Sequence, residues 1–428
     1  MEIDTLGYLP PPADGTDGGS AALDVYVRDL GPSGYYGVAT PDRLLRQVPT
    51  EIWTSFLEID NNYNPTDSAR GRPTFSTTGI DGLRITCAHE FHHAVQNGCY
   101  ALVPQHRMLY ELTSTWMEMR CWPEVRDWSY YAKDLLLRPE RWPFARSSGQ
   151  TGYVWAWFGN VLAQHPGQIM RTMWERIGLG VQPFPALVES CTERGASFSD
   201  LFCSAVESMY RTGSRGMSNP IIPLASELPE VAIASTLDVS GPGATFSGTI
   251  LPFCVRAYRF DLSTASGKRS NADAVIALGD DAQLAADSLR ERAIGFAMTL
   301  TSQPSVGDVS IASTGWGVSF DRSDLCLVVD GASLLDVEAP FPQPLELRQH
   351  NVLSVPIPGG FLGDFATLSL LDLSMHPVQE PKKLPIEITD RRVVANLSVD
   401  RNLAPGTYIL FADDGRSAPP MMWKIFIR

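Results

Sequence analysis

The stretch Cys87-Ala88-His89-Glu90-Phe91-His92-His93-Ala94 decides how this chain is interpreted, because it contains the pattern His-Glu-x-x-His. On a helix, His89 and His93 project from the same face four residues apart, so both imidazoles can reach one metal ion. Neutral imidazoles suit zinc, and a catalytic zinc has three protein ligands and a fourth position for water. Glu90, beside the first ligand, is placed to take a proton from that zinc-bound water. The stretch therefore predicts a zinc site with Glu90 as general base.

A third zinc ligand is expected at Glu111, eighteen residues after His93. Glu111 opens a stretch of helical character, and a second helix after a reversal of this length can approach the first. His106 is the alternative third ligand, although its neighbours are typical of a loop. Glu118 lies two turns beyond Glu111 on the same face, where it can orient a histidine ligand or form a surface salt bridge. His92 points away from the metal, and a structural or supporting role is expected for it.

Composition and charge narrow the classes of partner. The 428 residues are 44% hydrophobic and 19% charged, which is typical of a folded protein, and this length favours roughly two to four domains. The 34 basic and 48 acidic residues give a net charge of −14, so nucleic acid and anionic membrane surfaces are not expected partners. No run of about 18 apolar residues occurs, and no membrane span is predicted.

The hydrophobic pattern changes twice along the chain. Alternating stretches typical of short strands, such as Leu23–Arg28 and Ser55–Asp60, occupy the first 63 residues. From residue 80 to residue 213, the pattern predicts helices over Gly82–Gly98, Glu111–Met119, Tyr153–Gln164 and Gln168–Ile177, and a last helix capped by Ser199. After Ser214, short alternating runs separated by glycine, proline, aspartate and serine predict strands.

These patterns predict an α+β domain over residues 1–214, followed by all-β sandwich modules over residues 215–340 and 341–428, the last of them immunoglobulin-like. The proline-rich run Pro340–Pro344 is the expected boundary between the two modules. Cysteine pairs within plausible reach of each other are Cys99–Cys121, Cys191–Cys203 and Cys254–Cys326, and the alternative is a chain without disulfides.

Two motifs carry a resemblance to a known family. The stretches HEFHHAVQ (89–96) and ELTSTWME (111–118) resemble the gluzincin metallopeptidases, and within them a bacterial, mostly exported branch whose glutamate motif typically reads E-G-T-A-T-W-M-E. The stretches LDVYVRDLG, SFLEIDNNY, GYVWAWFGNVLA and SFSDLFCSAVESMYRTG are similar to further elements of that branch. The resemblance covers about residues 20 to 215. It departs at Leu112, where glycine is usual, which bears on how closely that helix packs.

The resemblance implies a zincin-like α+β catalytic domain followed by β-sandwich modules. It implies that His89, His93 and Glu111 bind Zn²⁺ and that Glu90 is the general base and proton shuttle. It also implies secretion, whereas no signal peptide is visible in Met1–Pro12.

A donor for the oxyanion of the tetrahedral intermediate is also expected from the resemblance, because gluzincins supply one from a tyrosine or histidine after the glutamate helix. Tyr153 resembles the aminopeptidase-like tyrosine in position, where it would open a helix after the flexible Ser147–Gly152. Tyr130, Tyr131 and His165 remain alternatives.

The first hypothesis for function is a zinc-dependent peptidase that hydrolyses protein or peptide substrates, more in keeping with an endopeptidase than an aminopeptidase. Substrate would pair with Ser55–Asp60 as an edge strand, and an aminopeptidase would need an acidic anchor such as Glu58 or Asp60. The acidic surface favours basic or neutral substrates. The alternative is a cell-surface or carbohydrate-binding protein, in which the β modules bind a glycan or cell-surface ligand and the zinc site is structural or degenerate.

Overall fold

The computed structural model shows a mixed α and β chain. It describes residues 1–102, 106–165, 167–215, 221–240, 243–263, 269–286, 292–302, 316–320, 325–330, 333–334, 345, 347–348, 351–356, 365–372, 376–385, 387–389, 392–413 and 421–427. The expected boundary at Pro340–Pro344 lies outside these residues. Among the described residues, none of the helices is both long and apolar enough to cross a bilayer.

The chain opens with a three-stranded sheet of β1 (Val25–Arg28), β2 (Gly37–Arg46) and β3 (Ile52–Asp60), followed by the short pair β4 (Ser68–Ala69) and β5 (Arg72–Pro73). β3 lies in the middle, parallel to β1 and antiparallel to β2. The expectation that Ser55–Asp60 is an edge strand is therefore wrong. None of the nine residues of β3 is exposed, and neighbouring strands pair with both of its edges.

Helices dominate the chain from residue 79 to residue 210. They are α1 (Gly79–Val95), α2 (Arg107–Cys121), α3 (Trp128–Leu137), α4 (Gly149–Val154), α5 (Phe158–Gln164), α6 (Ile169–Gly178), α7 (Pro183–Glu193) and α8 (Phe198–Tyr210). The predicted helices at α1, α2, α6 and α8 are confirmed with shifted ends. α3 and α7 were not predicted.

Two details of the predicted helices are wrong. The single helix expected over Tyr153–Gln164 is two helices, α4 and α5, because tight turns through Trp155 and Trp157 separate them and bury both indoles. The cap of α8 is Ser197, whose hydroxyl accepts the backbone N–H of Asp200, and not Ser199. Starting the helix earlier buries Phe198 completely.

The remaining chain consists of strands and one short helix, α9 (Asp281–Ala285). The strands are β6 (Ile233–Ser240), β7 (Gly243–Ile250), β8 (Val255–Ser263), β9 (Arg269–Leu278), β10 (Ile294–Ser302), β11 (Trp316–Phe320), β12 (Leu325–Asp330), β13 (Ser333–Leu334), β14 (Val352–Pro356), β15 (Phe365–Leu371), β16 (Lys382–Pro385), β17 (Glu387–Thr389), β18 (Arg392–Ser398), β19 (Gly406–Asp413) and β20 (Met421–Ile427). They form sheets of order β13-β11-β10-β7, β12-β9-β8-β6, β14-β18-β17 and β16-β15-β19-β20. The first two sheets share one apolar cluster and the last two share another.

The first pair of sheets packs directly on the helical region. Apolar residues of β8 and β9 belong to the same large core as α2, α5, α6 and α8. The backbone N–H of Phe144 donates to the carbonyl of Phe253 at 2.8 Å, and the N–H of Ala232 donates to Leu136 at 2.8 Å. These contacts hold the helices and the sheets together as one packed body.

A disulfide crosses the same interface. Cys203 of α8 is bonded to Cys326 of β12, with Cα atoms 5.1 Å apart. The expected pairings Cys191–Cys203 and Cys254–Cys326 are therefore wrong, and Cys99 and Cys121 carry free thiols. The pattern of the sequence could not show this pairing, because it depends on how β12 docks against α8.

Candidate metal centre and cleft

α1 and α2 bring the three expected zinc ligands together. The Nε2 atoms of His89 and His93 are 3.0 Å apart, and the Oε2 atom of Glu111 lies 3.2 Å and 3.4 Å from them. Four ligands at the usual zinc distances of about 2.0–2.1 Å stand about 3.3 Å from one another in a tetrahedron. The three atoms therefore form a triangle of the size that one zinc ion requires.

Glu118 fixes the orientation of His89. Its Oε1 atom accepts a hydrogen bond from Nδ1 of His89 at 2.7 Å, in a buried setting. Nδ1 therefore carries the proton and Nε2 presents its lone pair to the shared space, as in the carboxylate–histidine pairs of metal sites. Burial raises the pKa of Glu118 to about 7 in spite of this bond to His89. The alternative of a surface salt bridge does not apply.

Gln96 does the same for His93. It is completely buried at the end of α1, where the chain makes a wider turn over Gln96–Tyr100. Its Oε1 atom accepts from Nδ1 of His93 at 2.7 Å, while its Nε2 atom donates to the hydroxyl of Thr113 at 2.9 Å and the carbonyl of Tyr110 at 3.2 Å. These donations fix which way the amide faces, and His93 is left with Nε2 free for a ligand.

The donor set fits a divalent cation. Each Nδ1 has an acceptor, so neutral imidazoles can offer two Nε2 lone pairs, beside a carboxylate oxygen of Glu111, to one cation. Burial alone would lower the pKa of His89, but the bonds to Glu111 and Glu118 raise it well above the usual range. Burial opposes ionisation of Glu111, yet His89 and His93 hold its pKa well below the usual range. A positive charge at this point is therefore strongly favoured.

Two glycines of α4 allow this helix to approach closely the turn of α2 that carries Glu111. A Cβ atom at Gly152 of α4 would lie 2.7 Å from Cβ of Glu111 and 2.8 Å from the backbone nitrogen of Leu112, and one at Gly149 would lie 3.3 Å from Cγ of Glu111. α4 therefore lies against the ligand-bearing turn of α2, and the completely buried Leu112 does not prevent it.

Glu90 lies between the triangle of His89, His93 and Glu111 and the edge strand β2. Its side chain is 7% exposed. Gly37, at the start of β2, makes room for it: a Cβ atom there would lie 2.9 Å from Cγ of Glu90 and 2.6 Å from Cγ2 of Thr86. Because only glycine fits between the strand and the helix at this point, the edge strand lies against the expected base.

Tyr153 is stacked on His89 of the candidate metal centre. Its ring lies 5.8 Å from that of His89 at 14° between planes, and 5.1 Å from that of Tyr131. Burial and the charge of Glu111 raise the pKa of Tyr153 well above its usual range. Tyr153 lies in the last turn of α4 and does not open the helix.

Of the other candidates for an oxyanion donor, one lines the same cleft and two lie outside it. Tyr131 lines the same cleft as Tyr153. Tyr130 is 61% exposed and stands outside the residues that line the cleft. His165 lines a separate cavity with Arg120 and Trp116.

His92 and His106 are engaged away from the triangle. Nδ1 of His92 contacts Oε2 of Glu2 at 2.8 Å, and its ring meets Tyr8 edge-on at 5.1 Å. His106 precedes α2, with its Nδ1 atom 3.4 Å from the hydroxyl of Ser147.

Glu58 and Asp60 are also engaged, which removes the expected anchors for a free amine. Glu58 pairs with Arg28 at 2.9 Å. Asp60 accepts four backbone N–H groups from the loops beside β3, those of Leu30, Gly31, Asn62 and Tyr63. Burial alone would raise the pKa of Asp60, but these bonds lower it below its ordinary value. Asp60 therefore holds two loops in place.

Two cavities meet at the candidate metal centre. A wider one, of about 490 Å³, is lined by Tyr35, Gly37, Val38, Ala39, Pro41, His89, Glu90, His93, Asn97, Leu102, Arg107, Tyr110, Glu111 and Tyr153. A smaller one, of about 250 Å³, is lined by Gly34, Tyr35, Tyr36, Gly37, Thr74, Ile85, Thr86, His89, Glu90, Glu118, Asp127, Tyr131 and Tyr153. They share the residues around Glu90, so the cleft continues on both sides of it.

The sequence did not point to Gln96, Gly37 or Asp127 as parts of this site. Gln96 lies three residues after His93, which is the one signal that could have found it.

Comparisons of the chain with protein-family models, with curated proteins and with solved structures found no match.

Proposed function

We propose that the chain is a zinc-dependent peptidase of gluzincin type that hydrolyses peptide bonds within the cleft. The observation that carries the proposal is the triangle of His89, His93 and Glu111 with a buried carboxylate, Glu90, beside it. When bound, zinc supplies Lewis acidity that brings the pKa of a water molecule at the site to about 7. A structural zinc site would have no need of a carboxylate next to its ligands.

The residues of the chain divide the work of hydrolysis. Glu90 takes a proton from the attacking water and delivers it to the leaving amine, which a carboxylate can do once the water is acidic enough. The Tyr153 hydroxyl donates a hydrogen bond to the oxygen that becomes negative as the carbonyl is attacked. The position of Tyr153, whose ring lies 5.8 Å from that of His89, supports this role.

Substrate is proposed to pair with β2 and not with Ser55–Asp60. β2 bonds to β3 along one edge, and Gly37, Val38 and Ala39 line the wider cavity. An extended peptide can add to such an edge through main-chain hydrogen bonds. Pro41 lacks an N–H, so pairing along this edge is limited beyond it. A cleft that continues on both sides of Glu90 supports an endopeptidase.

The domain order and location belong to the same proposal. We take the helical region as a zincin-like domain and the two pairs of sheets as β-sandwich modules that follow it. Secretion is proposed from the resemblance of the motifs, and the disulfide between Cys203 and Cys326 suits an oxidising compartment.

Metal content and peptide cleavage test the proposal together. Wild type should hold about one zinc ion per chain. Glu111→Ala should lose it, and Glu124→Ala, which removes an exposed glutamate elsewhere, should keep it. Glu90→Gln should keep zinc yet lose about 10²–10⁴-fold in kcat.

Two results would contradict the proposal. Wild type that holds no zinc after zinc is offered and excess removed would rule out the metal site. Zinc-loaded wild type that cleaves no peptide while binding immobilised glycans would favour the carbohydrate-binding alternative.

A further inference from the structure

The smaller cavity has an acidic wall. Three carboxylates line it, those of Glu90, Glu118 and Asp127, and no lysine or arginine lines it in the part of the chain that the structure describes. The wider cavity differs, because Arg107 lines it and stands 3.5 Å from Glu111. The smaller cavity therefore offers a more acidic lining to a bound peptide than the wider one, where Arg107 partly offsets Glu90 and Glu111.

Asp127 is the carboxylate of this wall that neither the metal site nor the proposed catalysis uses. It is 4% exposed, at the start of α3. Its Oδ1 atom accepts the hydroxyls of Ser76 at 2.7 Å and Thr77 at 2.6 Å, and the more distant hydroxyl of Tyr36 at 3.4 Å. The described residues give Oδ2 no hydrogen bond and give Asp127 no basic partner. A buried carboxylate of this kind is stabilised by a cation that binds next to it.

Aromatic rings form the rest of the wall. Tyr36, Tyr131 and Tyr153 line the same cavity, and the last two are stacked with centroids 5.1 Å apart. Ring faces attract ammonium and guanidinium groups and also pack against the aliphatic stems that carry them. Tyrosines around one carboxylate therefore suit an organic cation.

The size of the cavity and the separation of its acids favour an organic cation over a metal. Among the described residues, the groups close enough to share one metal ion are His89–His93–Glu111 and Asp29–Asp60–Asp67, and neither contains Asp127. The volume of about 250 Å³ is many times that needed to hold a single water molecule. That is room for one long side chain.

We infer that this cavity is a subsite for a positively charged group of the substrate beside the scissile bond, with Asp127 as its anionic partner. The group is a lysine or arginine side chain or a free α-amine. The inference rests on the proposed peptidase function. Because Glu90 and Tyr153 line both cavities, a residue in the smaller one directly adjoins the bond under attack.

The experiment compares matched substrates with full-length, zinc-loaded protein. One set consists of end-blocked peptides with lysine or its neutral isostere norleucine at each position in turn. The other set consists of neutral peptides with a free or an acetylated amino terminus. Wild type should prefer lysine at one position flanking the scissile bond, or the free amine, by roughly 10- to 100-fold in kcat/KM.

Two variants identify the residue responsible. Asp127→Asn keeps an oxygen that can accept from Ser76 and Thr77 but loses the charge, and it should bring the preference close to unity. Asp81→Asn removes the same charge from α1, where Asp81 pairs with Arg84 outside the cavity, and should leave the preference unchanged. Equal kcat/KM of wild type for lysine and norleucine peptides, and for free and acetylated peptides, would overturn the inference. A preference for the cationic substrate that Asp127→Asn retains would also overturn it.

Direct binding separates failure of this inference from failure of the proposed function. If no peptide is cleaved, n-butylammonium is titrated into wild type and Asp127→Asn, with n-butanol as the neutral control. Wild type should bind the ammonium at least about tenfold more tightly than Asp127→Asn does, and should not bind the alcohol comparably. Equal binding of the ammonium by the two proteins would refute the subsite independently of any catalysis.

Discussion

Alanine at position 37 would force β2 away from Glu90. The added Cβ atom would lie 2.6 Å from Cγ2 of Thr86, 2.9 Å from Cγ of Glu90 and 2.9 Å from the carbonyl oxygen of Glu58. Non-bonded atoms prefer about 3.5–4.0 Å, so each contact is too short by about 0.6 Å or more. The oxygen belongs to the backbone of β3, the central strand, and cannot move without disturbing the sheet. The strain therefore falls on β2 and on Glu90.

Two magnitudes follow from this clash. Overpacking of this kind costs about 1–3 kcal/mol of the free energy of unfolding. Displacing a catalytic group by about 1 Å can cost about 100-fold in rate, so Gly37→Ala should lower kcat/KM by about 10- to 100-fold. Zinc content should not change, because the three atoms nearest the new Cβ belong to Thr86, Glu58 and Glu90 and not to His89, His93 or Glu111.

Thermal unfolding, elemental analysis and peptide cleavage measure the three effects on one preparation. Gly295→Ala is the matched control, because a Cβ atom on that strand residue would meet nothing within 4 Å. Gly37→Ala with the stability and activity of wild type would refute the close packing of β2 on Glu90. Loss of zinc together with activity would show that the strain reaches the metal ligands, contrary to this reasoning.

Three further predictions concern residues that support the site and the fold. Gln96→Leu should weaken zinc binding by about 10- to 100-fold in a chelator competition, because His93 loses the acceptor of its Nδ1 proton. Gln96→Glu keeps an acceptor and should retain most of the affinity. Equal zinc affinity of wild type and both variants would show that Gln96 does not support His93. Replacing Cys203 and Cys326 together by serine should lower the free energy of unfolding in urea by about 3–5 kcal/mol, since the disulfide links residues 123 positions apart. A thiol assay on denatured, unreduced wild type should detect five free thiols. Detection of seven thiols would exclude the disulfide. Asp60→Asn should cost about 1–3 kcal/mol at pH 7. The pKa of Asp60 is lower in the folded than in the unfolded protein. Its contribution to the free energy of unfolding is therefore complete above the unfolded pKa of about 3.9 and is lost as pH falls through the folded pKa. A difference in stability between wild type and Asp60→Asn that persists in acid would contradict this role of Asp60.

The arrangement of the expected ligands could be predicted because it is local. The separation of His89 and His93 fixes their common face as soon as α1 forms. Glu111 then needed only a second helix after a short reversal, and α2 supplies it. The role of Glu118 follows from the same helical repeat, since it stands two turns beyond Glu111. Each of these inferences depends only on residues within one helix or on the short connection between two consecutive helices.

The surroundings of the ligands could not be predicted, because they depend on segments that meet only in the folded chain. Gly37 matters because the start of β2 crosses α1 beside Glu90, and nothing in its own neighbourhood indicates this. Asp127 resembles an ordinary residue at a helix start, yet it joins the turn before α1 to the smaller cavity. The order of the three strands is likewise a tertiary property, so the alternating pattern of Ser55–Asp60 does not show whether this strand lies at an edge or in the middle.

Position 112 shows how a departure from a motif can be balanced across an interface. In the glutamate motif that residues 111–118 resemble, a small residue is usual at the position of the bulky Leu112. The packing constraint, however, applies to the distance between α2 and α4, and either helix can satisfy it. Gly149 and Gly152 place the α4 backbone against Glu111 and Leu112, which also presents Tyr153 to His89. Leu112 is therefore compatible with the close approach of His89, His93 and Glu111, because the facing helix α4 provides the space beside that turn of α2.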